Sequence, residues 1–98
     1  MKMTYENFTA AVKKALCEAK GVKTEQLFPY VTLIDLGVTD PEVDQLIKKV
    51  AENFEFPHEI DDDDIGSFFG NKDWKQLTVK SFTDRCMDLI VWKSLEDE

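Results

Sequence analysis

Apolar residues recur at helical spacing in three stretches of the chain. In the first, Tyr5, Phe8, Val12, Leu16 and Ala19 fall on one face, with Lys13, Lys14 and Glu18 on the wet side. Thr4 stands where an N-cap is needed, and Gly21 follows the last turn, where glycine takes the left-handed conformation at little cost. A second stripe comprises Val43, Leu46, Ile47, Val50 and Phe54. Asp40 is the expected N-cap of this helix, Pro41 suits its first position, and Phe56-Pro57 closes it. The third stripe, capped by Thr78, runs through Val79, Phe82, Cys86, Leu89 and Ile90 to about Trp92.

The connections differ in character. Residues 22–36 hold apolar side chains without clean periodicity, with Pro29 inside. They predict a long ordered loop with a helical turn at Thr24–Leu27, pinned by buried Leu33, Ile34 and Leu36. EIDDDDIGSFFG predicts a short helix whose positive end is stabilised by the acidic run, with Ile65, Phe68 and Phe69 turned inward. Gly70-Asn71 makes a turn, and residues 93–98 form an acidic tail that frays. No repeat or linker divides the chain. The expected fold is therefore all-α: a single domain over residues 1–98, built as a small antiparallel bundle of three main helices and a short one, with the long loop between the first and second.

Composition narrows the function classes. The 98 residues suffice to bury one modest core, which the 43% apolar fraction supplies. A net charge of −8 repels phosphate backbones, so no nucleic-acid role is expected; the charge suits basic protein partners or plain solubility. No apolar run approaches membrane-spanning length, and MKMTYENF does not read as a secretory leader, so no membrane role is expected. Cys17 and Cys86, far apart and outside any CxxC, read as reduced core thiols of a cytoplasmic monomer.

Beyond periodicity, the order of motifs resembles the acyl carrier protein family. VKKALCEAKGVKTEQL looks like a carrier's first helix and following turn, and DLG opens the segment that in carriers reads Asp-Leu-Gly-x-Asp-Ser-Leu. From Asp35 to Phe54 the patterns run in register without a gap, while LTVKSFTDRCMDLI is similar to the final carrier helix. The likeness covers roughly residues 5–92 and is nearest to a bacterial subgroup of carrier-like domains of unknown function in which the serine is often missing.

That resemblance implies a 4′-phosphopantetheine serine at the start of the second helix, where a phosphodiester is favoured by free N–H groups. The position is Asp40 here, with Thr39 on the usual aspartate and Pro41 on the usual leucine. A carboxylate has no hydroxyl to donate to the transfer reaction, so no cofactor is expected. Capping alone accounts for Asp40 and its neighbour Pro41; the fixed negative charge could also act as a recognition signal. Ser67 and Thr39 are substitute attachment points under an alternative reading; Ser81 and Ser94 are surface polar residues.

Carriers present acids along helix two to basic partners. Glu42 and Glu52 match that stripe, but Gln45, Ala51 and Asn53 replace acids and Lys48-Lys49 adds positive charge. Phe68, Phe69 and Trp74 could fill the space in which carriers keep an acyl chain, or form a binding patch.

Other chemistry finds little support. Counting an EF-hand loop from Asp61 puts Gly66 at the sixth position, but Ile65 and Lys72 occupy ligand positions. His58 is the only histidine, which argues against a zinc site or a Cys-His nucleophile, and no metal site is expected. No catalytic constellation is legible. The expectation is a non-catalytic carrier-like module that binds a protein through Thr39, Asp40, Glu42, Glu52, Phe68, Phe69 and Trp74. A working carrier modified at Ser67 or Thr39 is the alternative, and an acidic divalent-cation binder trails it.

Overall fold

The computed structural model describes residues 4–54, 63 and 76–95. Among them the chain is an all-α bundle of three helices without a strand: α1 (Tyr5–Lys20), α2 (Asp40–Glu52) and α3 (Val79–Leu95). The short helix expected from the acidic run lies outside the described residues, apart from Asp63.

Helix α1 begins and ends as its sequence dictates. Thr4 is extended, at φ −103° and ψ 157°, and its hydroxyl accepts the Asn7 N–H at 3.2 Å. Gly21 turns left-handed at φ 68° and donates its N–H to the Cys17 carbonyl at 2.9 Å. The buried face is Phe8, Ala11, Val12, Ala15 and Leu16. Tyr5 and Ala19, expected in that stripe, are exposed. The stripe is confined to the central turns, because at the C-terminal end Lys20, not Ala19, leans toward α2.

Helices α1 and α2 run antiparallel. Lys20 at the end of α1 meets Glu42 at the start of α2, while Phe8 near the start of α1 stacks on Phe54 just past the end of α2. The two rings lie 4.1 Å apart at 21°, a contact worth about 0.5–1.5 kcal/mol beyond area burial. The second stripe is buried as expected at Val43, Leu46, Ile47 and Val50, joined by Ala51. Helix α2 stops at Glu52, with Asn53 as C-cap, so it ends before Phe56-Pro57, which lies outside the described residues.

The long loop is part of the core. A single 3-10 turn at Thr24–Gln26 realises the expected helical turn, and Leu27 and Leu33 are buried. Ile34 is not: it is 55% exposed, and Leu36 is half-buried. The reason is a tight turn in which both the Leu36 and Val38 N–H groups donate to the Leu33 carbonyl, each at 3.1 Å. It directs Leu33 and Val38 inward and leaves Ile34 and Asp35 outside. Gly37 closes this turn at φ 78°, which explains the glycine of DLG.

The same loop caps α3. Thr32 and Thr78 form an isolated antiparallel bridge, and the Leu33 N–H donates to the Leu77 carbonyl at 3.0 Å. The first N–H groups of a helix have no partner within it. Here Val79 N–H donates to the Val31 carbonyl at 2.8 Å and Lys80 N–H to the Pro29 carbonyl at 3.1 Å. Ser81 N–H reaches the Thr78 hydroxyl at 3.1 Å, the expected cap. Helix α3 continues past Trp92 to Leu95, so the part of the tail over residues 93–95 is helical rather than frayed. Its buried stripe adds Thr83, whose hydroxyl donates to the Val79 carbonyl at 2.8 Å, to the expected residues.

Candidate functional site

The start of α2 is where the carrier resemblance would put a prosthetic group. Its cap is Thr39 rather than Asp40, which occupies the first helical position; Pro41 is therefore at the second. The shift follows from Thr39-x-x-Glu42, a capping-box spacing that outcompetes an aspartate one residue later. Glu42 folds back over the helix end: its Oε1 accepts the Thr39 N–H at 3.1 Å and the Thr39 hydroxyl at 2.9 Å.

From α1, Lys20 Nζ donates to both oxygens of the same carboxylate, at 2.9 and 3.1 Å. Both side chains are about three-quarters buried, and the Lys20 stem passes beside Gly37. The Lys20 hydrogen bonds, followed by those of Thr39, hold the Glu42 carboxyl below the usual glutamate range.

These contacts change what the helix end can offer. A phosphate at a helix N-terminus is held by free N–H groups. Pro41 has none, and the Glu42 and Val43 N–H groups both point to the Thr39 carbonyl, at 3.0 and 3.2 Å. The Glu42 carboxylate supplies negative charge to the positive helix end. Asp40 adds an exposed carboxylate at the same place.

Of the residues singled out as partner-facing, Thr39 and Asp40 are brought together here, exposed. Glu42 shares the site but is turned inward to Lys20 and Thr39, so its charge is engaged within the molecule. Glu52 lies at the other end of α2, in a depression it shares with Lys14, Glu18 and Lys49. There Lys49 pairs with Glu18 at 3.7 Å. Phe68, Phe69, Trp74 and Ser67 lie outside the described residues. Ser81 and Ser94 sit on α3.

Both thiols are free; Cys86 is buried as expected, but Cys17 is only half-buried, its Sγ 3.5 Å from the Thr24 hydroxyl oxygen. Among the described residues no helix is long and apolar enough to cross a membrane, and no three His, Cys, Asp or Glu side chains are placed to share a metal ion. Of the acidic run only Asp63 is described.

Sequence reasoning missed the exposed aromatic pair of the long loop. Phe28 and Tyr30 stack with centroids 5.5 Å apart at 8°, and Tyr30 is 73% exposed. Their alternation around Pro29 was the available signal. Compared with known proteins, the chain matches no family model, no curated protein and no solved structure.

Proposed function

We propose that this chain is a non-catalytic, acyl-carrier-like interaction module that carries no 4′-phosphopantetheine. It meets a protein partner through the start of α2 and through the aromatic segment that holds Phe68, Phe69 and Trp74. The observation that carries the reading is the chemistry at position 40. An exposed carboxylate stands where the carrier register wants an alcohol, on a helix turn whose second residue has no N–H to offer a phosphate. The neighbouring hydroxyl of Thr39 already donates to Glu42, which also argues against Thr39 as an attachment point. The free thiols fit a cytoplasmic setting.

The test is intact mass after incubation with coenzyme A and a promiscuous phosphopantetheinyl transferase. The wild-type chain stays unmodified, whereas T39D/D40S/P41L, which rebuilds the Asp-Ser-Leu of carriers, gains one arm. A gain on the wild-type chain that disappears on mutating Ser67 or Thr39 makes it a working carrier and overturns the proposal. A folded triple variant that stays unmodified removes the carrier kinship itself.

A further inference from the structure

A second surface lies away from the start of α2 and has the opposite electrostatic character. Tyr5 of α1, Leu27 and Pro29 of the loop, and Val79 of α3 wall a crevice of about 40 Å3, with Lys13 and Lys80 among its lining residues. The two threonines that line it present little polarity. The Thr9 hydroxyl donates to the Tyr5 carbonyl at 2.9 Å and that of Thr83 to the Val79 carbonyl at 2.8 Å. The interior is thus apolar, and the stacked, exposed Phe28 and Tyr30 flank Pro29 beside it.

Charge sets this crevice apart. Two other surface depressions, along α1 and between α1 and α2, are each lined by two lysines and two glutamates. Among the described residues this one is lined by two lysines and no carboxylate, in a chain of net charge −8. Among the described residues neither Lys13 nor Lys80 makes an ion pair.

We propose that the crevice docks an acidic segment of another protein, seating one aliphatic side chain while flanking carboxylates pair with Lys13 and Lys80. A volume near 40 Å3 suits one such side chain and is too small for a long acyl chain. This inference does not rest on the proposed carrier kinship.

The probe is an acetylated Asp-Asp-Leu-Asp-Asp peptide titrated into the full chain and followed by amide chemical shifts. Shifts are expected at Leu27–Val31, Val79–Thr83 and Tyr5–Lys13, and higher salt weakens them. K13A/K80A weakens binding on the order of tenfold, the scale of two exposed ion pairs. K14A/K48A removes the same charge elsewhere and leaves binding unchanged. A Lys-Lys-Leu-Lys-Lys peptide does not shift these amides.

Absence of saturable shifts at millimolar peptide overturns the proposal, as does equal weakening by both lysine pairs. Crevice shifts that depend on protein concentration without peptide assign it to a second copy. Octanoate binding there, with no response to the acidic peptide, assigns it to small amphiphilic anions. Either result also overturns it.

Discussion

Leu33 and Ile34 are adjacent aliphatic residues that the structure treats oppositely, and their alanine variants measure whether the long loop is part of the core. Leu33 is fully buried, whereas Ile34 is 55% exposed. Truncating Leu33 to alanine removes roughly three carbons, worth about 0.8 kcal/mol each in transfer alone. The cavity left between loop and helices brings the expected cost to about 2–5 kcal/mol. That is a large fraction of the ~5–15 kcal/mol that holds such a domain folded. Ile34→Ala should stay within about 0.5 kcal/mol of wild type, as exposed substitutions do.

The assay is urea unfolding by circular dichroism, with an unchanged m-value confirming that only stability moved. Amide exchange gives a second readout. Since Pro29 and Val31 accept the Lys80 and Val79 N–H groups, L33A should speed exchange at the start of α3 more than at Val12 in α1. Equal costs for L33A and I34A would refute the reasoning: the loop would then be a tether and not a packed cap.

Three further outcomes follow from the packing and electrostatics. A double-mutant cycle of F8L and F54L should return a coupling of about 0.5–1.5 kcal/mol, and additivity would mean the stacked geometry contributes nothing of its own. Because the Glu42 carboxyl is held below its ordinary value of 4.5, its contribution is whole above that pH and is lost as pH falls through the lower, folded value. E42Q should therefore flatten the acid limb of a stability–pH profile, and an unchanged limb would show that the Lys20 contact is not formed in solution. Burial pushes the Cys86 thiol well above its usual range, so native protein should react with a thiol reagent once, at half-buried Cys17, and twice when unfolded. Modification of Cys86 at the Cys17 rate would contradict the packing of α3.

Local physics made the helices legible. Thr4 and Gly21 bound α1, and Thr78 starts α3, because each end is determined by hydrogen bonds within a few residues. The buried stripes of α2 and α3 followed from period alone. At the start of α2 two local signals competed, and the Thr39–Glu42 box displaced Asp40 as cap. The box was readable as T-x-x-E, but its reinforcement was not: Lys20 lies 22 residues away and reaches Glu42 only once α1 and α2 are antiparallel.

Tertiary structure alone decided the loop. Nothing in residues 22–36 announces that their carbonyls cap a helix beginning at Val79, or that Leu33 enters the core while Ile34 leaves it. The capping depends on contacts distant in sequence, and the fates of Leu33 and Ile34 on the tight turn from Leu33 to Val38, which no periodicity in the segment reports. The crevice has the same origin, assembled from α1, the loop and α3, so its two lysines are neighbours only in the folded chain. What the sequence determined by itself was the all-α class and the carboxylate at position 40; which charges that fold brings together was a matter of packing.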